Sequence, residues 1–399
     1  MPFIPAMRLI SSLSAGDFWH GTTTAKGVPA ERHREKQNSK RMALKKSKPL
    51  RLGFVPLIDC APLVLAQELG LFARYDLNVD LQRQPGWATI RDKILYGDLD
   101  AAHALSVMPF AATLGLGSIR SECVTGLVLN LNGNAITLSR ELRLRGVRDA
   151  RTLRAEIERC RGTKTFTFGV VFQWSSHNFL LRSWLASAGI DPDKDVHIVV
   201  VPPPAMFMNL KAGNLDGYCV GEPWNSIAVE SGDGWCPTVS AQLAPGHAEK
   251  VLMVRRDFTE MRAGEHLRLI AALLEACAFC ERLENREHVV ETLSRAAYVN
   301  APADLLRFSL VGPFRFGGDR VEAVPGFHRF SGDDANEPSI SKAQWILEHL
   351  LRLGAIQDRT AIRTLASGAV FRADLYEQAK QLLNPTEHTK PDALELTPA

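Results

Sequence analysis

Apolar positions along the chain follow two periods, one typical of strands and one typical of helices. From Leu50, RLGFVPL is a short apolar run, APLVLAQELGLFARY repeats its apolar residues with helical spacing, and LNVDLQRQ alternates as a strand does. A second block repeats this order with FTFGVVF, SSHNFLLRSWLASAG and VHIVVVPP. Such units of strand, helix and strand predict an α/β protein with a largely parallel sheet in each block.

A short internal echo supports two similar lobes. The segment GDLDA at 97–101 returns as GNLDG at 213–217, each time after a helical pattern and before an apolar strand. Common turn chemistry after a helix is the alternative explanation. After Arg255 the apolar spacing becomes mainly helical. These helices are predicted to cover the sheet of the first lobe.

Charge is distributed unevenly along the chain. The whole sequence has 47 Lys and Arg against 44 Asp and Glu, a net of +3. Residues 1–50 hold ten of the basic and three of the acidic residues, which leaves 37 basic and 41 acidic residues, a net of −4, for the rest. We therefore predict a disordered basic tail at 1–48, lobe 1 at 49–140 plus 255–380, lobe 2 at 141–254, and a flexible tail at 381–399.

Several functional classes are disfavoured by these features. The net charge is too small for a general nucleic-acid binder, so no direct nucleic-acid contact is expected. Residues 101–119 lack charge over a length that could span a membrane, but Pro109 and Gly115 favour a buried strand, turn and helix start. The first twenty residues contain only short, interrupted apolar pieces. We expect a cytoplasmic protein without membrane contact, with its seven cysteines as reduced core thiols.

Catalytic motifs are missing from the sequence. It contains no Walker A string, no GxGxxG after a strand, no GxSxG and no HExxH, so we predict no enzyme activity, no cofactor and no metal. Polar and aromatic residues do stand at strand ends and helix starts. Open α/β sheets bind ligands at these positions.

Three candidate ligand-binding residues lie in the first half of the chain. Trp87, just before a helix that Thr89 could cap, either walls a small site or packs against the helix start. Asn134 follows Asn-Gly in LNLNGNAI, where its amide could donate to an anion, although turn formation explains Asn-Gly equally well. His177 falls in the first turn of a helix that Ser175 or Ser176 could cap, which is either an anion-binding geometry or a structural histidine.

Three further candidates follow. In CVGEPW an apolar strand runs into Gly221, which permits close backbone approach, and Glu222, which would need a cationic partner if buried. Lys250 in PGHAEKVLMV precedes a strand and could supply that cation, although most lysines are simply solvated.

Taken together, these segments carry a family resemblance. The strings GFVPLIDCAPLVLAQELGLFARY, GWATIRD, LNLNGNAI, SSHNFLLRSWLASAGIDPD, CVGEPWN and HAEKVLMV resemble, in order, the nitrate- and bicarbonate-binding proteins of ABC transporters, a branch of the type II periplasmic-binding-protein fold. The resemblance runs from about Arg51 to about Tyr376. It implies two α/β lobes joined by two crossover strands, each lobe a mixed, mainly parallel sheet flanked by helices, with a helical C-terminal portion packed on lobe 1.

The resemblance also implies an oxyanion site in the cleft between the lobes. Its ligand-binding residues would be Trp87, Asn134, His177, Gly221 and Lys250, with Glu222 as the partner of Lys250. The nitrate binders have glutamine where this chain has Asn134, which is one methylene shorter and leaves room for a water or a different anion. A planar monoanion offers only acceptors, and these residues offer donors.

The family also includes cytoplasmic nitrate and nitrite sensors, which hold an antiterminator protein with an ANTAR RNA-binding domain and release it when the anion binds. We expect this chain to be such a sensor, with nitrate or nitrite and an ANTAR-domain antiterminator as partners. One alternative is the exported substrate-binding component of a nitrate, nitrite or bicarbonate ABC transporter. The other is an enzyme, because the fold also hosts pyrimidine synthesis in thiamine pathways, through a cysteine-rich string that this chain lacks.

Overall fold

The computed structural model describes residues 48–357, 360 and 364–383, and the structural statements below concern these residues. The tails predicted at 1–48 and 381–399 lie outside the described part except for residues 48 and 381–383. Of these, Gln381 is the last residue of a helix.

Strands and helices alternate through most of the described chain. The strands are β1 (Leu50–Phe54), β2 (Val79–Arg83), β3 (Ala101–Leu105), β4 (Cys123–Val124), β5 (Val128–Asn132), β6 (Asn134–Ser139), β7 (Phe166–Val170), β8 (Val196–Val200), β9 (Gly217–Gly221), β10 (Gly234–Val239), β11 (Ala248–Arg255), β12 (Phe314–Gly317), β13 (Arg320–Glu322) and β14 (His328–Arg329). The α-helices are α1 (Ala61–Glu68), α2 (Leu71–Arg74), α3 (Trp87–Leu95), α4 (Met108–Leu114), α5 (Arg140–Leu144), α6 (Ala150–Arg159), α7 (Ser176–Ser187), α8 (Pro203–Lys211), α9 (Trp224–Glu230), α10 (Ser240–Leu243), α11 (Arg256–Met261), α12 (Ala263–Glu281), α13 (Arg286–Ser294), α14 (Ala303–Leu310), α15 (Ile340–Arg352) and α16 (Ala373–Gln381). Short 3-10 turns span Ile58–Cys60 and Leu283–Asn285, and a π-helical turn spans Leu365–Ala369.

Two mixed sheets organise these strands. The first has the order β14-β5-β11-β3-β1-β2, with β4 beside β11, and the second has the order β10-β6-β9-β7-β8. Each sheet ends in three parallel strands: β1 is the central one, between β2 and β3, and β7 is the central one, between β8 and β9. The predicted α/β fold with mixed sheets is confirmed. Antiparallel pairs have a larger share than predicted, because the strands that follow each crossing between the sheets, β6 and β11, run against their neighbours.

The chain crosses between the sheets twice. It leaves the first sheet between β5 and β6, at Gly133, and returns between β10 and β11, at residues 240–247. The predicted lobe boundaries, after residues 140 and 254, stay a prediction. The chain changes sheet before each of these residues. Strand β6 (134–139) already belongs to the second sheet, and β11 (248–255) already belongs to the first.

The echoed segments form the same turn in both sheets. Gly97 and Gly213 have φ values of 78° and 77°, a left-handed conformation that glycine adopts without strain. Oδ2 of Asp100 accepts a 2.8 Å hydrogen bond from the backbone N–H of Arg51, and Oδ2 of Asp216 accepts one of the same length from Thr167. In each case the aspartate ties the turn to the central parallel strand, which favours a duplicated architecture over chance similarity.

Helices after β11 cover the first sheet, as predicted. Helix α12 buries Leu269, Leu273 and Cys277 in the same core cluster as Leu52 of β1. All seven cysteines are free and buried, which confirms the expectation of core thiols. The hairpin β12–β13 is an exception, because Phe314 packs with residues of the second sheet. None of the described helices is long and apolar enough to cross a membrane.

Candidate functional site

Lys250 lies at the centre of a fully buried ion-pair cluster. Its Nζ is 2.7 Å from Oδ2 of Asp59 and 2.7 Å from Oε1 of Glu249. Asp59 belongs to the 3-10 turn that follows β1, and Glu249 directly precedes Lys250 on β11. Adjacent side chains of a regular strand point to opposite faces. The pairing of β11 with β5 shifts register at Lys250, and this irregularity lets both side chains reach the cluster.

Mutual attraction keeps these three groups charged despite their burial. Burial acts to lower the pKa of Lys250, but the carboxylates of Asp59 and Glu249 raise it above its ordinary value. Burial acts to raise the pKa of Asp59, and Lys250 and His103 together lower it. The pKa of Glu249 is likewise held well below its ordinary value, against burial, chiefly by Lys250. The cluster therefore stays ionised at neutral pH.

Glu222 is not the partner of Lys250, so this part of the sequence prediction is wrong. Its Oε2 accepts a hydrogen bond from the backbone N–H of Ser226 at 3.1 Å, and its Oε1 is buried without a hydrogen-bond partner. Burial raises the pKa of Glu222 to about 7. Asp59 and Glu249 hold the lysine instead. The turn after β1 brings Asp59 to the Lys250 ammonium, and the irregularity in β11 brings Glu249 there, whereas Glu222, just after β9, forms no ion pair with it.

Trp87 covers the lysine from the side of the first sheet. It is the first residue of α3, with Gly86 at the N-cap position, so the predicted cap by Thr89 is not formed. The Lys250 Nζ lies 5.3 Å from the centre of the indole ring, and the imidazole of His103 lies 5.4 Å from it, centre to centre. The indole Nε1 is buried without a hydrogen-bond partner. Trp87 therefore supplies both an apolar wall and an N–H donor.

Asn134 and Gly221 face each other on adjacent strands of the second sheet. They are paired residues at the ends of β6 and β9. A Cβ atom on Gly221 would lie 3.4 Å from Oδ1 of Asn134 and 3.5 Å from Oδ2 of Asp59, so the glycine borders both side chains. Both polar atoms of the Asn134 amide are buried without a partner. The missing side chain at Gly221 leaves the amide and the ion-pair cluster open to each other.

His177 completes the group from the start of α7. The Ser175 side chain caps this helix by accepting a hydrogen bond from the backbone N–H of Asn178 at 3.2 Å, as predicted. The His177 Nε2 lies 3.6 Å from Oε1 of Glu249, and neither ring nitrogen has a hydrogen-bond partner. Burial lowers the pKa of His177 to about 4, so the ring is neutral at physiological pH.

The sequence analysis missed four residues of the cluster: Asp59, His103, His247 and Glu249. His103 Nε2 donates to Oδ1 of Asp59 at 2.9 Å. His247 has Nε2 3.0 Å from Oε2 of Glu249 and Nδ1 2.9 Å from the Ala244 carbonyl oxygen. Both of these partners are acceptors, so each ring nitrogen lies at hydrogen-bond distance from an acceptor oxygen. The string HAEK, with His and Glu beside the chosen lysine, is the signal that could have found two of the four.

The site is suited to binding a small polar ligand. Trp87 Nε1, the Asn134 amide and the His177 ring are buried side chains without partners around one ion-pair cluster, and such atoms are rare in native proteins unless a ligand uses them. Among the described residues no group of three His, Cys, Asp or Glu side chains could hold a metal ion. The ammonium of Lys250 lies between the carboxylates of Asp59 and Glu249, so groups of both signs meet at the centre of the site.

Residues from both sheets meet at this site: Trp87, Asp59 and Lys250 from the first and Asn134, His177 and Gly221 from the second. Two α/β units that enclose a small polar site define a binding protein of the type II periplasmic-binding-protein class. The model of the NMT1-like family matches residues 43–294, and the chain belongs to this family.

Individual relatives agree with that assignment. The chain is 32% identical over 342 residues to the nitrate/nitrite binding protein NrtA of Nostoc sp. PCC 7120, covering 84% of this chain and 77% of the relative. It is 40% identical over 310 residues to the nitrate import ATP-binding protein NrtC of Synechocystis sp. PCC 6803, covering 77% of this chain. The chain spans only 46% of that longer relative.

A solved structure has the same fold. The crystal structure of the periplasmic nitrate-binding protein NrtA from Synechocystis PCC 6803 matches with a TM-score of 0.81 at 29% identity, over 86% of this chain and 90% of the other.

Proposed function

We propose that this protein binds nitrate or nitrite between its two sheets. The observation that carries the proposal is the set of buried, unpartnered groups of Trp87, Asn134 and His177 around the Lys250 cluster. Nitrate and nitrite are small planar anions that only accept hydrogen bonds, and these side chains present donors toward them. The relatives named as nitrate-binding proteins support the same ligand.

Charge balance favours a monoanion over a dianion. The one ammonium, that of Lys250, already faces the two carboxylates of Asp59 and Glu249, so a bound nitrate adds one further negative charge and a sulfate would add two. Burying an unpaired charge is costly, and a second one is not compensated by any further cation in the cluster. Bicarbonate is the competing monoanion. It carries an O–H donor, which the unpartnered Oδ1 of Asn134 could accept.

Calorimetric titration of the full chain with nitrate, nitrite, bicarbonate, sulfate and chloride tests the ligand. We expect binding of nitrate or nitrite, little response to sulfate, and loss of binding in His177→Ala and Lys250→Ala. Lys164→Ala is the matched control, because Lys164 also forms a 2.6 Å ion pair, with Asp216, but at a partly exposed site. Binding of bicarbonate alone would make bicarbonate the ligand in place of nitrate and nitrite. If none of nitrate, nitrite and bicarbonate bound, the proposal would be refuted.

We further propose that the protein serves as the binding component of an ABC importer. The names of the relatives support this assignment, since they are nitrate-binding and nitrate-import proteins. They do not support the sensor function, the cytoplasmic location or the ANTAR-domain antiterminator expected from the sequence, which remain a competing proposal. In a sensor the anion and the partner must weaken each other's binding by the same factor, on the order of a hundredfold for release.

A pull-down from cell extract, with and without nitrate, distinguishes the two proposals. A transport component should recover membrane or ATP-binding subunits of an ABC transporter. A sensor should recover an ANTAR-domain protein that is released by nitrate and retained when the bait carries His177→Ala. Cell fractionation adds an independent test of location, because an importer component belongs outside the cytoplasm.

A further inference from the structure

Three arginines in and just after helix α5 line one groove beside the second sheet, and none of them pairs with a carboxylate of the described residues. The groove is about 380 Å³ in volume and is lined by Arg140, Arg143 and Arg148 together with Leu144 and Trp235. We call it the arginine groove. Among the described residues no carboxylate oxygen lies within 4.0 Å of any of these three guanidinium groups.

Their neighbours on the same stretch of chain behave differently. Arg145 pairs with Glu141 at 2.5 Å and with Glu156 at 3.2 Å, and Arg154 pairs with Glu158 at 2.8 Å. Residues 140–161 contain eight arginines, of which four form ion pairs with carboxylates. Of the four without such a pair among the described residues, three line the groove and Arg151 does not. Unpaired positive charge is therefore concentrated at one place on an otherwise mildly acidic chain.

The groove holds its arginines in place by contacts other than ion pairs. The Arg143 guanidinium lies over the Trp235 ring, 5.8 Å from its centre, and also rests against the backbone of Gly318. The Arg148 Nη1 donates to the carbonyl oxygens of Arg143 at 2.6 Å and Val147 at 2.7 Å. These two guanidinium groups are thus ordered in advance, which lowers the entropy lost when an anionic partner binds them.

Apolar side chains extend the surface in one direction. Leu144, at the edge of the arginine groove, is 74% exposed. A second groove of about 460 Å³ shares Val229 and Gly318 with the first and is bordered by Val321, which is 49% exposed. It also contains Glu230, whose carboxylate is paired with Arg315 at 3.2 Å. The two grooves form one continuous surface with unpaired arginines at one end and exposed apolar side chains in both parts.

We propose that this surface binds an acidic, amphipathic segment of a partner protein. Carboxylates of the segment would pair with the planar guanidinium groups, and its apolar side chains would cover Leu144 and Val321. A nucleic acid fits less well, because a phosphate backbone has no use for the exposed leucine and residues 51–399 carry a net charge of −4. The proposal does not depend on which anion the protein binds.

Fluorescence anisotropy tests the proposal with a labelled peptide of about twenty residues, in which Leu recurs every three to four positions among Glu and Ala so that a helix has one apolar and one acidic face. A short RNA duplex is the second probe. We expect the peptide to bind the wild-type chain. The double variant Arg143→Gln with Arg148→Gln should bind at least about tenfold more weakly, since it loses two charge-assisted contacts. Leu144→Ser should also weaken binding.

The double variant Arg154→Gln with Arg161→Gln is the matched control, because it also removes two positive charges from the same stretch, at ion pairs outside the groove. Its affinity for the peptide should stay within about twofold of wild type. The proposal is overturned if the peptide does not bind, if this control weakens binding as much as the groove variants, or if the RNA duplex binds more tightly than the peptide. Nitrate titration of each variant shows separately whether the anion site is intact.

Discussion

Gly221 allows ligand binding to be separated from folding. A Cβ at this position would meet Asn134 and Asp59 at ordinary van der Waals distances, and the backbone is not in the left-handed region. Gly221→Ala should therefore fold with nearly unchanged stability, while its methyl group occupies space beside the Asn134 amide. We expect nitrate affinity to fall at least about tenfold, measured by calorimetry, because displaced polar contacts in a closed site are not replaced.

Gly217 on the same strand provides the contrasting variant. A Cβ there would lie 2.6 Å from a methyl carbon of Leu138 and 2.7 Å from the Thr137 carbonyl oxygen, and backbone cannot yield easily. Gly217→Ala should lower the free energy of unfolding by about 1–3 kcal/mol in a denaturant titration, the usual cost of overpacking. If Gly221→Ala destabilised the protein as much and bound nitrate normally, Gly221 would be a packing residue and not part of the site.

His177 predicts how nitrate affinity depends on pH. Its pKa is lowered to about 4 by burial, with Glu249 and Asp59 opposing this effect and Lys250 and His247 adding to it. A bound anion favours the imidazolium, so the pKa of His177 must be higher in the complex than in the empty site. Binding then takes up a proton between these two pKa values, and affinity should rise as the pH falls, by at most tenfold per pH unit.

Calorimetry from about pH 8 to about pH 5 measures this dependence. Glu222 acts in the same direction, because its pKa of about 7 means that it gains negative charge as the pH rises. The variants His177→Gln and Glu222→Gln separate the two contributions, and each should flatten its own part of the profile. An affinity that is constant with pH in the wild type would show that the anion contacts neither group.

The sequence analysis located Lys250, His177, Trp87, Asn134 and Gly221 but could not assign all their partners. Resemblance and position at strand ends or helix starts pointed to these residues one by one. The ion pair between Asp59 and Lys250 joins residues far apart in the chain, and the contact from Glu249 depends on a strand irregularity that no spacing reveals. The charge of Glu222 and the family resemblance made it the candidate partner, and the structure pairs Lys250 with Asp59 and Glu249 instead.

At the scale of helices and strands, prediction was most successful where the apolar period was clear. The parallel strands of both sheets and the helix that carries His177 match their predicted segments. The arginine-rich residues 140–159 form two helices, α5 and α6. A new helix begins at Ala150 because the Asp149 side chain caps it by accepting a hydrogen bond from the Thr152 backbone N–H. Residues 314–322 form the hairpin β12–β13. Its two strands are too short to show an alternating pattern that the sequence would reveal.

The echoed turns give a prediction at this scale. Asp216 accepts hydrogen bonds from the Thr167 backbone N–H at 2.8 Å and from Lys164 Nζ at 2.6 Å, so Asp216→Ala leaves a strand N–H without its partner. We expect the free energy of unfolding to fall by about 1–3 kcal/mol, and amide exchange to accelerate first in β7.

Asp100→Ala should act in the same way on the first sheet, with faster exchange in β1, because Asp100 bonds to the Arg51 N–H. Asp98→Ala is the control within the same turn, since its side chain is exposed and is expected to change stability by less than about 0.5 kcal/mol. Equal effects of Asp98 and Asp100 would mean that the turn, and not the carboxylate bond to the central strand, carries the stability.

For the molecule as a whole, net charge says little about the site. Residues 51–399 have a net charge of −4, so the long-range field disfavours an anionic ligand. The donors of the buried site nevertheless act at hydrogen-bond distance, in a site from which water is largely excluded. Affinity must therefore come from local contacts that form only when both sheets contribute their residues.

Closure of the two sheets around the site is the last prediction. Trp87 is 2% exposed, and Asn134, His177 and Lys250 are fully buried, so no anion can enter the structure as it stands. The closed arrangement is held by contacts between the two halves, including the Ile58 N–H to the Glu222 carbonyl oxygen at 3.0 Å and Ser176 Oγ to Oε2 of Glu249 at 2.5 Å. The empty protein must open to admit the ligand, and the ligand then favours the closed state.

Small-angle X-ray scattering of the full chain should show a smaller radius of gyration with saturating nitrate than without it. Ser176→Ala removes one contact between the halves without removing any of the unpartnered donors, so it should shift the empty protein toward the open state and weaken nitrate binding by roughly threefold to tenfold, the range expected for one buried hydrogen bond. At saturation it should reach the same compact size as wild type. An unchanged radius in both proteins would mean that the anion enters by local movement, and the two sheets would then be a rigid frame for the site.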